Sequence, residues 1–329
     1  MSYKKYIAAL AGMSPICPIL GRKKKMPRIL FWHGVLDSPY YDRRVQANQI
    51  QFREFEKQIK YLKKHFCFIS LDEFYDSFVN NVPFSGKEII VTFDDGYKNN
   101  FTIAAPYLQS ENIPFAVFVS TKLVDKEWFV PTYLFRSALL SPLLSKLDLP
   151  LLDITYEFRK ETDRIKAMND VISFAKTESD EKVHTLLHNI EEQLGHGNRE
   201  EINSHFESER IMSWNDVRQL VSMGGIIGSH TEDHSILHEK QKDDDIKHQL
   251  KDSKNKIIRN FGKCDYFAFP NGDYASVCAR SLEAAKDFYK MSFAVTGKCV
   301  SKQDDISYIS RISVAFDLNV LKSQLYILS

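Results

Sequence analysis

The chain alternates between short, unbroken apolar runs and longer stretches with a helical period. Arg28 to Val35 holds Ile29, Leu30, Phe31 and Trp32 in succession, the pattern of a strand covered on both faces. Gln51 to Lys64 places Phe52, Phe55, Ile59 and Leu62 on one helical face, and Leu71 to Phe78 repeats that period. Glu88 to Phe93 (EIIVTF) and Phe115 to Ser120 (FAVFVS) are further apolar strands, with a helix expected between them from Ile103 to Ser110. Alternation resumes late in the chain. Trp214 to Met223 reads as a helix, Gly225 to Ser229 as a strand and Asp243 to Phe261 as a long charged helix. Tyr266 to Phe269 reads as a strand, Ser276 to Asp287 as a helix and Met291 to Val295 as a strand. Strands separated by helices predict parallel βα units. Their irregular spacing predicts a distorted, incomplete (β/α) barrel within the α/β class.

The interval from about residue 123 to 209 differs. Glycine is rare, and Leu, Glu, Lys and His dominate. We expect a helical insertion between barrel strands, because no Pro/Gly-rich linker marks its borders. The expected organisation is therefore an N-terminal basic and apolar segment, 1–27, followed by one barrel domain, 28–329, carrying the insertion. In the N-terminal segment an apolar run from Tyr6 to Leu20 lies between Lys4-Lys5 and Arg22 to Lys25. It has no A-x-A cleavage site, is too short to span a bilayer and contains Pro15 and Pro18. It either packs on the domain or rests weakly on an anionic membrane surface. A cytoplasmic protein is expected, at most peripheral to the inner membrane.

Composition narrows the partners. The 329 residues are 43% hydrophobic and 26% charged, with a formal net charge of +1. No basic excess favours nucleic acid, and no obligate protein partner is evident. Cys17, Cys67, Cys264, Cys278 and Cys299 are odd in number, scattered and without a C-x-x-C pair, which predicts reduced, mostly buried thiols.

In a β/α barrel the working residues stand at the C-terminal ends of strands. Three predicted strands end in suggestive groups. Thr92-Phe93 leads into Asp94, Asp95, Gly96 and Tyr97. Adjacent side chains at a strand end point in different directions, so one carboxylate can bind a metal while the other faces water or substrate. A surface Asp-Asp-Gly turn is the plainer alternative. Gly228-Ser229 leads into His230 and, four positions on, His234. A lone pair of histidines at that spacing is commonly a surface feature; beside a carboxylate it becomes a set suited to Zn²⁺. Phe269 leads into Pro270, Asn271, Gly272, Asp273 and Tyr274, a turn that could line one wall of a site. Tyr97, Trp128, Phe129, Tyr133 and Tyr274 fall in or near predicted loops, where rings can stack on sugars; Phe129 and Phe135 are also expected in the core.

Taken in order and spacing, TFDDG (92–96), SHTxxH (229–234) and FPxG (269–272) resemble the polysaccharide deacetylase (NodB-homology) family. The Trp32-His33 segment resembles the Tyr-His segment of members from exopolysaccharide and capsule gene clusters. The resemblance implies a metal-dependent hydrolase that removes N-acetyl groups from an N-acetylated sugar or glycan precursor. It implies Asp94 as general base, and Asp95, His230 and His234 as ligands of a divalent ion: Zn, with Ni, Co or Mn as alternatives. Pro270 to Tyr274 would line the substrate, with the backbone N–H of Tyr274 or a neighbour facing the oxyanion. Two departures stand out. The family's Arg before the Pro motif is replaced by Ala268 and Phe269, and Arg311 is the substitute expected to pair with Asp94. The stretch after Asp305 has no histidine, and His33 is the substitute expected as general acid. Two other functions fit the same scaffold: a catalytically silent carbohydrate-binding protein, and an amidohydrolase acting on a small C–N substrate.

Overall fold

The computed structural model describes residues 26–328. The expectation for the N-terminal segment falls almost wholly outside the described residues. In chain order the elements begin β1 (Arg28–Trp32), β2 (Gly34–Leu36), β3 (Gln49–Gln51), α1 (Phe52–His65), β4 (Cys67–Phe68), α2 (Leu71–Val79), β5 (Glu88–Phe93), α3 (Ala105–Ser110) and β6 (Phe115–Val119). Next come α4 (Thr121–Lys126), α5 (Pro131–Leu140), β7 (Lys146–Leu149), β8 (Ile154–Glu157), α6 (Glu161–Ala175), α7 (Asp180–Leu194) and α8 (His196–Ser204). The chain closes with α9 (Trp214–Ser222), β9 (Ile226–Ser229), α10 (Asp243–Phe261), β10 (Tyr266–Ala268), α11 (Ala279–Phe288), β11 (Met291–Val295), β12 (Ile309–Ser313) and α12 (Leu318–Ser323).

Seven strands form a closed parallel barrel in the order β1-β5-β6-β9-β10-β11-β12, and β12 pairs back onto β1 through Leu30↔Ile312. The ring is one strand short of a full eight-stranded barrel, and β4 adds only two residues to the start of β5. Barrel strands are buried almost throughout, which is why they read as continuous apolar runs. Alternate residues still part company. Ile29, Ile90, Phe118, Phe293 and Ile309 cluster inside the barrel with Leu71 and Phe74 of α2, which plugs one end. Leu30, Val91, Val117, Phe267 and Ile312 face the surrounding helices. Gly228 is needed where β9 pairs with β6, since a Cβ there would meet the Phe118 ring at 2.5 Å.

Several expectations need correction. The first apolar run is two strands, broken at His33, because Gly34 to Leu36 leave the barrel to pair with Gln49 to Gln51. A Cβ on Gly34 would overlap the Gln49 side chain at 1.9 Å. The insertion is not purely helical: β7 and β8 form an antiparallel hairpin within it. Its signal was local, with Leu147 and Leu149 buried and Lys146 and Asp148 exposed. β12 was not expected as a strand, because Arg311 and two serines (Ser310, Ser313) break up its apolar character. Of the cysteines, Cys264 and Cys278 are buried, but Cys67 is exposed and Cys299 half-buried.

The insertion is tied to the barrel by α7. The Asp180 carboxylate accepts from Ser235 Oγ and from Gln241 Nε2 (2.8 Å), and its backbone N–H donates to Gln241 Oε1 (3.1 Å). Those bonds clasp the loop that carries His234.

Candidate active site

The site forms where β1, β5, β9, β10 and β12 end. At β5 the chain turns on two successive left-handed residues, Asp95 (φ 72°) and Gly96 (φ 84°). A non-glycine residue there is strained, and the turn sends the two neighbouring carboxylates apart. Asp94 continues the inward set of β5. Arg311, on the inward set of β12, meets it with Nη1 and Nη2, each 2.8 Å from one carboxylate oxygen. Arg311 is fully buried, its guanidinium lying 4.6 Å from the Phe31 ring centre and 5.3 Å from that of Phe118. Burial alone would raise the Asp94 pKa, but the Arg311 guanidinium, aided by His230 and His33, holds it below the usual carboxylate range.

Asp95 points to the histidines. Its Oδ1 lies 3.4 Å from His230 Nε2 and 3.2 Å from His234 Nε2. Burial opposes its ionisation, yet His234, His230 and His33 hold its carboxyl well below the usual range. The His234 imidazole, which burial would push down, is pushed up by Asp95 and Asp94. The His230 ring is oriented from behind: Nδ1 lies 2.7 Å from the Ala268 carbonyl oxygen. A carbonyl only accepts, so Nδ1 carries a proton and Nε2 is the nitrogen turned towards Asp95. The loop between the histidines is held by left-handed Thr231 (φ 64°) and His234 (φ 65°), and by hydrogen bonds from the first turn of α4 to the Thr231 and Glu232 carbonyls.

These residues fit a divalent cation. One ligand atom from each of Asp95, His230 and His234 lies within 4.8 Å of the others. Asp95 Oδ1 is buried without a hydrogen-bond donor. An orphaned carboxylate oxygen facing an imidazole lone pair is unfavourable unless a cation stands between them. Two His and one carboxylate suit Zn²⁺ and its neighbours and leave positions open.

His33 stands in the same cluster. Its half-buried ring stacks edge-on to Phe31 at 5.5 Å. Burial pushes its pKa down, with Asp95 and Asp94 acting in the other direction. Its backbone is pinned by Asn100 Nδ2, which donates to the His33 carbonyl at 2.6 Å. Asn100 opens a π-turn, Asn100–Ala104, that leads into α3.

The third loop follows β10. Pro270 and Gly272 are buried, and Asn271 (φ 59°) and Gly272 (φ 66°) reverse the chain. The Gly272 carbonyl accepts from Val295 N (2.8 Å) and from the Tyr308 hydroxyl (3.3 Å). Tyr274 is 76% exposed, its ring 5.7 Å from Tyr308.

The aromatic expectations divide. Tyr97 is 1% exposed and Tyr133 likewise, so neither offers an open face for stacking; Phe129 and Phe135 lie in the core. Tyr97 was drawn inward because its backbone pairs with Ile211 beneath the insertion. Trp128 is partly exposed but lines a cavity that holds none of Asp94, Asp95, His230, His234 or His33. Sequence reasoning also missed Glu209, a fully buried carboxyl whose Oε1 has no partner. Burial pushes it up to about 8, against the opposing pull of Gln49 and Arg136, and Asp95 adds to the rise. A single Glu at the end of a polar stretch carries no signal of that burial.

Comparisons with known proteins identify the family and the fold. Residues 81–288 match the model of the family described as polysaccharide deacetylase. The chain belongs to the polysaccharide deacetylase family. No curated protein matches the sequence. Among solved structures, the chain is similar to a Streptococcus pyogenes deacetylase, PplD, in complex with acetate, with TM-score 0.57, 15% identity, and 89% of this chain and 93% of that one covered. It is similar to IcaB from Ammonifex degensii, with TM-score 0.55, 18% identity, and 92% and 98% covered. It is also similar to the BpsB deacetylase domain from Bordetella bronchiseptica, with TM-score 0.51, 16% identity, and 88% and 96% covered. At these identities the structural likeness establishes the fold. Among the described residues no helix is long and apolar enough to cross a membrane.

Proposed function

We propose that this member of the polysaccharide deacetylase family is a metal-dependent hydrolase that removes acetyl groups from N-acetylated sugar residues of a glycan. The observation that carries the reading is the convergence of Asp95, His230 and His234 on one point beside an Arg-paired Asp94. Asp95, His230 and His234 would hold the ion, for which Zn²⁺ is the first choice and Ni, Co and Mn are alternatives. When bound, it would polarise the acetyl carbonyl and acidify a water.

The remaining work falls to this chain's own groups. Amide hydrolysis moves one proton from water to the departing nitrogen. Asp94, kept ionised by Arg311, is the group to take it. His33 is the group to deliver a proton to the amine; its burial favours the neutral form at rest, so the proton it delivers is the one Asp94 takes from the water, and a single proton passes from water to amine. The 270–274 loop would bring a backbone N–H to the developing oxyanion.

A mere carbohydrate-binding protein has no use for a buried, donor-less carboxylate oxygen facing two imidazoles, so the hydrolase reading is preferred. The test is acetate release from an N-acetylglucosamine oligomer by the zinc-loaded protein. Acetate in stoichiometric excess over enzyme supports the reading. Binding of the oligomer without acetate, with the ion in place, would favour the silent binding protein.

A further inference from the structure

A cavity of about 770 Å³ lies on the insertion, and none of the catalytic residues lines it. One wall is the Trp128 indole, 39% exposed and edge-on to Phe129 at 5.7 Å. Leu134 of α5 and Leu187 of α7 extend that apolar wall. Its rim is charged. Arg199 is bonded to Glu191, and Arg210 holds both carboxylate oxygens of Glu207 at 2.8 Å, so these charges cancel. Glu192 and Glu200 are different. Among the described residues their only ion-pair neighbours are His188 (3.1 Å) and His196 (3.7 Å), and their side chains are 64% and 71% exposed.

The position relative to the catalytic cluster is fixed by backbone pairing. Tyr97 bridges to Ile211 and Arg210 bridges to Phe129, which sets three extended segments side by side. The bonds are Lys98 N to Arg210 O (2.8 Å), Met212 N to Gly96 O (3.0 Å) and Ile211 N to Trp128 O (2.9 Å). The Trp128 backbone therefore stands two strand spacings, roughly 10 Å, from that of Gly96 and Tyr97, the residues that follow Asp94 and Asp95. Neighbouring side chains on the middle segment face opposite ways: Glu209 is buried, while Arg210 lies over the Phe129 ring at 5.0 Å on the cavity side.

An open indole in one cavity with two carboxylates that have no Lys or Arg partner among the described residues matches a pyranose bearing an ammonium group. The ring's apolar face stacks on the aromatic, and the cation is attracted by both the carboxylates and the indole. We propose that this cavity is a second glycan-binding site that takes free-amine hexosamine residues, the product of the deacetylation proposed above, on which the biological sense of the inference rests. A glycan with one N-acetyl group at the catalytic cluster would then keep an already deacetylated stretch at Trp128.

Calorimetric titration of the whole protein with a glucosamine hexamer and an N-acetylglucosamine hexamer tests this without needing turnover. The glucosamine hexamer should bind more tightly. Glu192→Gln/Glu200→Gln should weaken its binding about fivefold, as expected for two exposed charge contacts, and leave the acetylated hexamer's affinity as it was. Trp128→Ala should weaken both hexamers about tenfold through lost stacking. The double Gln variant changes only exposed side chains, so it serves if Trp128→Ala fails to fold. Absence of glucosamine-hexamer binding, or wild-type affinity in the folded variants, overturns the proposal. Acetate release is read separately: Trp128-dependent binding without any acetate would sink the deacetylase reading and leave the second site standing.

Discussion

Arg311 and Asp94, 217 positions apart, meet inside the barrel through two parallel 2.8 Å hydrogen bonds between planar groups. Only a guanidinium offers this fork. Removing one partner strands a buried charge, which costs about 3–5 kcal/mol. Arg311→Met should therefore lower both stability and turnover, the latter by roughly 10²-fold or more. Arg311→Lys should recover part of the stability but little of the rate. Near-normal kcat in a folded Arg311→Met protein would remove Arg311 from the catalytic account.

His33 is the group proposed to carry the amine's proton. His33→Ala should lower kcat by about 10²-fold while leaving metal content at the wild-type level. Substrates with a better leaving amine should be affected less. An unchanged kcat across pH, or loss of the ion together with activity, would reassign the residue.

Glu209 gives a prediction about stability. Its carboxyl is raised in the folded protein to about 8 from an ordinary 4.5, chiefly by burial. Between those values the folded state holds a proton that the unfolded state has released. Stability must then fall as pH rises across that window, by up to about 1.4 kcal/mol per unit from this group. Glu209→Gln keeps the shape without the charge. Denaturant unfolding should show the variant close to wild type near pH 5 and more stable near pH 8. Parallel pH profiles for the two proteins would show that Glu209 is solvated or paired when ionised.

Much of the barrel was legible because its strands are buried on both faces and leave continuous apolar runs such as Ile29 to Trp32 and Ile89 to Phe93. The strand that mattered most for Asp94 was hidden for the same reason Arg311 is useful: a charged residue in the barrel interior breaks the pattern. Asp94, Asp95, His230 and His234 were visible as motifs at strand ends, because each pair lies within a few residues of sequence. The burial of Tyr97 and Glu209 was not legible, since it depends on contacts with segments distant in sequence around the turn at Gly96. Trp128 was visible as an aromatic in a loop, but its cavity is built by helices more than fifty residues further on.

The insertion's clasp on the His234 loop yields another expectation. Asp180→Ala removes the acceptor of Ser235 and Gln241. It should loosen the loop and weaken metal retention severalfold, with a stability loss of about 1–3 kcal/mol from the unpaired buried donors. Dialysis against a graded chelator series, followed by metal analysis, checks this. Wild-type retention would mean that the His234 loop needs no support from α7.

The central claim is that Asp95, His230 and His234 hold one catalytic ion. Elemental analysis of the purified protein and of Asp95→Ala and His230→Ala, beside acetate release from an N-acetylglucosamine oligomer, tests it most directly. The account predicts about one equivalent of Zn or a similar divalent metal in the wild type, loss of that metal in both variants, and acetate from the wild type alone. A wild-type protein that takes up no metal even after reconstitution, or variants that release acetate at the wild-type rate, would contradict it.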